Sequence, residues 1–470
     1  MTSRNKTIIF TCMLTFLSAG HVSGYENKHE TTAFSEENII NHFVESLTQA
    51  TTAPFKCKRY LREKQIDSMR ERIWTWWKTA NNQLKEEKLP PLKQLSKGEK
   101  NTWTLPRETS DKTIMPFYWG YKGECPENGY PLFLYLHGSG PKQAEWNTGW
   151  KLAQSFDDAP STYFIPQIPN EGEYYRWWQK AKITAWNKLF RQAMLSDSIN
   201  PNRLYCFGIS EGGYGSQRLS AYYADYLAAA GPMAGGEPLI NAPAENYMNL
   251  GFSMLTGAND FGFYRHILTQ YTKKTIDSLE QQYPQYYSHR INLIPGKGHS
   301  IDYSPTTPWL KTFTRIAQPK QFIWENFAMD GVYRNGFYNI AVLERSNKNA
   351  DERTVYTMRI DNNRIDLTVK NVTYETIEKD PHWGIGLDFK KTYTEVTKGK
   401  FLLYLSPELV NLNEKVAVYL NGKKIYDAKV PMRMEHLINS CTTFSDPERL
   451  FPAAVFIDLK KYATAHKSVI

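Results

Sequence analysis

Residues 203–214 read Arg-Leu-Tyr-Cys-Phe-Gly-Ile-Ser-Glu-Gly-Gly-Tyr. Leu204 to Gly208 is a short apolar run of strand type. Gly208-Ile209-Ser210-Glu211-Gly212 then forms a Gly-x-Ser-x-Gly pattern that opens a helix. A serine that projects from a strand-to-helix turn needs a sharp bend. Glycines two residues before and after it remove side chains that would collide there. The helix beginning at the next residue turns its positive end toward negative charge developing near the serine. A Gly-rich turn alone says little. One that follows an apolar strand and opens a helix marks Ser210 as a candidate nucleophile.

A nucleophilic serine in this setting calls for an acid and then a histidine further along the chain. Both occur in that order. Phe252 to Thr256 is strand-like and leads through Gly257-Ala258-Asn259 to Asp260. Arg290 to Ile294 is strand-like and leads through Pro295-Gly296-Lys297-Gly298 to His299. Loops at the carboxyl ends of parallel strands face a common crevice. His299 is expected to accept the Ser210 proton, with Asp260 fixing its tautomer. Asp302 is a rival acid, and His266 and His289 are rival bases. An oxyanion site needs backbone N–H donors. Glu211 supplies one candidate, and Ser139 then Gly140 supply the second, in the loop His137-Gly138-Ser139-Gly140 after the strand Tyr130–His137. The Glu211 side chain is given no catalytic part, with Arg218 as its candidate partner.

Around these loops, short apolar strands alternate with helices, which predicts an α/β fold with a mostly parallel sheet. The expected boundaries are a signal peptide at 1–24, a helical extension at 25–110, a catalytic domain at 111–318 and a β-rich domain at 319–470. The extension rests on helical spacing from Ser35 and on a second run from Tyr60 to Glu87 before Pro90-Pro91. The last region shows β-type segments with turn chemistry at Asp361-Asn362-Asn363 and Asn421-Gly422, which predicts antiparallel pairing.

The chain has 470 residues and a formal charge of +9. Arg4 and Lys6 precede an apolar stretch, Thr7 to Ala19, too short to span a bilayer, followed by small residues up to Gly24. This predicts export to a periplasmic or extracellular location, without stable membrane insertion. Removing the segment's two basic residues takes the charge from +9 to +7. No dense basic block interleaved with aromatics appears, so nucleic acid is not an expected partner. Cys57, Cys125, Cys206 and Cys441 show no metal-ligand spacing, and no metal is expected. Aromatic content is high, with 13 Trp, 30 Tyr and 23 Phe, which excludes a disordered chain. Tyr174, Tyr175, Arg176, Trp177 and Trp178 fall on a loop that could reach the crevice. They are candidates for a substrate wall, with packing of the tryptophans as the competing reading.

The stretch from Tyr130 to Trp309 resembles the α/β-hydrolase fold. It is similar to secreted esterases of the feruloyl esterase and polyhydroxybutyrate depolymerase group. The residues that carry the likeness are LYLHGSGP (134–141), GISEGGYG (208–215), AAAGPMAGG (228–236), TGAND (256–260) and GKGHSIDY (296–303). The resemblance implies Ser210 as nucleophile, Asp260 as acid, His299 as base and no cofactor. It implies hydrolysis of carboxylic esters, with small-molecule or glycan-linked esters as substrates, acyl groups on polysaccharides among them. The 319–470 region is then a candidate for glycan contact. The double glycine and Tyr214 after Ser210 also resemble prolyl-oligopeptidase-like serine peptidases, which stands as the alternative. A third reading is a binding module on a relic hydrolase scaffold.

Overall fold

The computed structural model describes residues 35–96, 99–170, 176–346 and 352–463. The segment read as a signal peptide lies outside them, as do Tyr174 and Tyr175. Among the described residues no helix is long and apolar enough to cross a membrane, and no cluster of side chains could hold a metal ion.

The chain starts with two helices, α1 (Glu36–Thr48) and α2 (Ile66–Gln83). Ser35 caps α1 by accepting the N–H of Asn38 at 3.1 Å, and Glu36 and Glu37 sit in the first turn, where the helix dipole favours them. Ile39 and Phe43, four residues apart, face inward against Ile73, Trp76 and Trp77 of α2. The second helix stops at Gln83, short of the expected Glu87, and Leu84 is already extended.

The main sheet has eight strands. They are β1 (Asn101–Thr104), β2 (Ile114–Lys122), β3 (Tyr130–Leu136), β4 (Ser161–Pro166), β5 (Ile199–Ile209), β6 (Ala229–Met233), β7 (Gly251–Gly257) and β8 (His289–Ile294). Their order is β1-β2-β4-β3-β5-β6-β7-β8. The stretch from β4 to β8 is parallel, and β1 and β2 form an antiparallel edge. β1 lies inside 25–110, where only helices were expected; its four residues carry too little pattern to register, and pairing with β2 forms it. Every residue of β3, β4, β6 and β7 is buried, as strands covered on both faces must be. Helices α3 (Lys142–Ser155), α4 (Lys180–Leu195), α5 (Glu211–Tyr222), α6 (Arg265–Gln282) and the short α7 (Thr306–Leu310) provide the covers. The chain leaves β3 toward one edge and β5 toward the other. The carboxyl ends of these neighbours therefore flank a crevice at the switch point.

Beyond Gln321 the structure is β-rich. One sheet holds β9 (Gln321–Asn326), β12 (Arg353–Asp361), β13 (Arg364–Lys379), β14 (Gly386–Glu395), β16 (Lys415–Leu420) and β17 (Lys423–Lys429). The other holds β10 (Gly336–Phe337), β11 (Ile340–Glu344), β15 (Lys400–Leu405) and β18 (Ala453–Asp458). Pairing is antiparallel except between β13 and β16. A common core joins the sheets, with Trp324 of β9 stacked on Phe337 at 5.2 Å. Asn421 and Gly422, both at positive φ, form the two-residue turn between β16 and β17. Helix α8 (Met434–Phe444) returns to pack Leu437 and Ile438 against α1 and α2, so these three helices share one apolar cluster.

A buried ion network ties the β-rich part to the main sheet. Asp225, between α5 and β6, accepts both Nη of Arg334 at 2.9 Å and one Nη of Arg449 at 2.5 Å. Asp446 accepts Arg315 at 2.6 Å and Arg449 Nε at 2.7 Å. Both carboxylates and Arg449 are fully buried.

Candidate active site

Ser210 stands alone between the end of β5 and the start of α5, at φ 57° and ψ −116°. That is a strained conformation for a residue with a side chain. It persists because the surroundings leave no alternative. The Ser210 N–H donates to the Met233 carbonyl at 3.0 Å, and Ser210 O accepts from Tyr214 N at 3.1 Å. A Cβ on Gly208 or Gly212 would fall inside the backbone where β3, β5 and α5 meet, so both positions must be glycine.

His299, in the loop after β8, places Nε2 at 2.9 Å from Ser210 Oγ, and its Nδ1 lies 2.8 Å from Asp260 Oδ2. With the hydroxyl donating to Nε2, the proton of the neutral ring sits on Nδ1 and points at the carboxylate. Asp260 follows β7 and is buried. Burial by itself pushes its carboxyl upward. The hydrogen bonds from His299 and Arg265, with the Arg265 charge, outweigh that and hold it below its ordinary value. Arg265, at the start of α6, makes the bidentate contact, Nε at 2.9 Å and Nη2 at 2.7 Å. Sequence reasoning missed Arg265; its only signal was a cation five residues past the acid at a helix start.

The rival residues are placed elsewhere. Asp302 accepts the backbone N–H of Ser304 and does not meet His299. The His266 ring contacts the backbone carbonyl of Asp260 and the ring of Phe261. His289 pairs with Asp277 at the far end of β8.

The loop after β3 is held by His137, which is fully buried. Its Nε2 accepts the N–H of Ile168 at 3.1 Å, so Nδ1 carries the proton and donates to the Gly138 carbonyl at 2.7 Å. Burial lowers its pKa to about 4, which keeps it neutral. Gly138 lies against the Cβ of Ser210, Ser139 lines the cavity beside it, and Gly140 packs on the Glu145 carboxylate. Glu211 opens α5, where the first N–H groups of a helix have no carbonyl one turn earlier to bond.

A cavity of about 430 Å³ opens beside Ser210. Arg176, Trp178, Glu211, Tyr214, Arg218, Glu237 and Phe263 lie on it. Arg176 and Trp178 of the expected substrate wall are therefore present. Trp177 is not: it is fully buried, its indole N–H donates to the His137 carbonyl at 3.0 Å, and its ring occupies the space left by Gly215. Its role is to anchor the loop. Glu211 does not pair with Arg218; it accepts the backbone N–H of Arg176 at 3.0 Å, and burial, then the nearby Glu237, raise its carboxyl. Arg218 instead donates to Glu237 at 2.6 Å and lies 3.9 Å over the Trp178 ring.

No family model and no curated protein matches this chain. Among solved structures, it is similar to a thermostable esterase at 21% identity and TM-score 0.35, over 46% of this chain and 63% of that one. It is also similar to a ferulic acid esterase at 14% identity and TM-score 0.34, over 46% of this chain and 97% of that one. A third likeness, at 10% identity and TM-score 0.35, is to a protein from Bacteroides ovatus described as a candidate dipeptidyl aminopeptidase IV, over 46% and 34% of the two chains. Each of these covers less than half of this chain. The α/β-hydrolase arrangement itself is visible in the strand order, in the serine between β5 and α5, and in the loops after β7 and β8.

Proposed function

We propose that this chain is a serine hydrolase that cleaves carboxylic esters through an acyl-enzyme on Ser210. The observation that carries the reading is the continuous hydrogen-bonded line Ser210 Oγ, His299 Nε2, His299 Nδ1, Asp260 Oδ2, with links of 2.9 and 2.8 Å. In this reading His299 takes the Ser210 proton as Oγ attacks the ester carbonyl. It then returns that proton to the departing alcohol, and water repeats the sequence on the acyl group. Asp260 stabilises the imidazolium, and Arg265 keeps Asp260 ionised and in place. The N–H groups of Glu211 and Ser139 would receive the oxyanion. Acyl groups on polysaccharides are the proposed natural esters and export the proposed setting, both resting on the sequence alone.

A fluorophosphonate probe should label Ser210 in the native protein, and the label should be absent from Ser210→Ala. Turnover of p-nitrophenyl acetate by the same protein, against no turnover of an aminoacyl anilide, would separate esterase from peptidase. An unlabelled native serine would sink the proposal.

A further inference from the structure

The cavity beside Ser210 is not built by the main sheet alone. One of its walls is Ile385, a residue of the β-rich region. Ile385 belongs to the tip of the hairpin between β13 and β14, whose last pair is Lys379 with Gly386. This tip is held in one shape by Asp380. Its carboxylate accepts the backbone N–H groups of His382 at 3.0 Å, Trp383 at 2.5 Å, and Ile385, while its own N–H donates to the Ile385 carbonyl at 2.9 Å. Three N–H groups on one buried carboxylate make a rigid six-residue turn.

The tip is also braced against the loop that carries the acid. Trp383 packs its ring 4.8 Å from Phe263, itself on the cavity wall, and Tyr271 of α6 bonds Glu378 further down the hairpin. Phe263 and Tyr264 both take positive φ in the short turn between Asp260 and Arg265. The turn that aims the acid and the wall that faces the serine are thus in contact with one element of the second region. Trp383 remains 52% exposed at this edge, which leaves an apolar face outside the cavity.

We infer that the β13–β14 hairpin tip, through Ile385 and the Trp383–Phe263 pair, determines which esters reach Ser210. It would seat a ring-sized group with an apolar face against Phe263 and Ile385, and a polar edge toward Arg218 and Asn241. This rests on the reading of Ser210 as the nucleophile. The hairpin residues touch no reacting atom, so they set selectivity and leave the chemical step alone.

The test uses the full chain and two ester series: methyl esters from acetate to benzoate, and acetyl esters from methyl to naphthyl. Ile385→Trp should raise KM for the ring-bearing member of at least one series by about tenfold, with kcat and the small ester within about twofold. Trp383→Ala, which leaves the cavity unfilled, should shift the same ring-bearing ester and spare the small one. Ile377→Ala, on an exposed face of the same hairpin, should shift neither. Fluorophosphonate labelling of Ser210 together with an unaltered thermal melt shows that each variant is folded. Equal changes for large and small esters, or no change in any, overturn the inference while Ser210 stays labelled. Failure of the unaltered protein to label or turn over either series overturns the Ser210 reading, and the inference with it.

Discussion

Two places in this molecule clamp buried aspartates with arginines, and they are built for different ends. At the seam, Asp225 and Asp446 are shared among Arg315, Arg334 and Arg449, and the carboxylates and Arg449 are wholly buried. At the site, Asp260 is held by Arg265, but its other partner, His299, keeps 45% of its side chain exposed. The seam network joins segments more than two hundred residues apart, and its carboxylates, Arg315 and Arg449 meet almost no solvent. The site network ends on a hydroxyl that faces a cavity. A closed set of charges fixes where two parts of the chain meet, whereas an open one leaves a proton free to move.

The largest effect that would sharpen this contrast is expected at Ser210. Ser210→Ala should lower turnover of p-nitrophenyl acetate by about 10⁴-fold or more, because nucleophile and base act as a unit. The thermal melt should stay almost unchanged, since alanine keeps the backbone contacts of residue 210. A variant that lost stability along with activity would break the distinction.

The seam should show the reverse. Asp225→Asn leaves Arg334 and Arg449 without their carboxylate. Breaking a buried pair from one side costs about 3–5 kcal/mol. The melting temperature should then fall by about 3–5 °C for a chain of this size, while activity per labelled serine is retained. A comparable loss of activity in the folded fraction would mean that the seam also positions the site.

Between these lies Arg265, which belongs to the site and yet touches no substrate atom in the proposed reaction. Arg265→Met should lower kcat by about 10²-fold, as a misplacement of ~1 Å does, with KM little altered. Arg265→Lys should recover part of it, because one charged hydrogen bond of the fork survives. An unchanged kcat would reduce Arg265 to a structural pair like those at the seam.

How much of this was legible beforehand follows from the range of the interactions. The strands from β3 to β8 and the turn at Ser210 are local events: a continuous apolar run, two glycines, a helix start. Asp260 and His299 were legible because each follows an apolar strand in the order the fold requires. Arg265 was not, since nothing near residue 265 says which way α6 will turn its first side chain. For Trp177 the sequence leaves wall and core packing both open, and it lies in the core, because the space it fills is created by Gly215, thirty-eight residues later. Ile385 reaches the cavity only through the docking of a second set of sheets. The seam is similar: Asp225, Arg334 and Arg449 are ordinary surface-type residues in the sequence, and only their burial together makes them a network.

The smallest effect expected is a pH dependence. Burial would push the Asp446 carboxyl upward, but the charges of Arg315 and Arg449 hold it at about 2. The unfolded chain returns it to the ordinary value of ~3.9. A carboxyl depressed in the folded state contributes stability that is complete above the unfolded value and is lost as pH falls through the folded one. Melts recorded from about pH 5 down to about pH 2 should therefore show a steepening loss of stability. Asp446→Asn should be less stable at neutral pH yet less steep across that window, by up to one proton's worth of slope. Ser210→Ala should keep the full slope, since it removes no titrating group. Parallel curves for Asp446→Asn and the unaltered chain would show that the seam arginines do not hold this carboxylate, and the contrast between a closed and an open network would then rest on geometry alone.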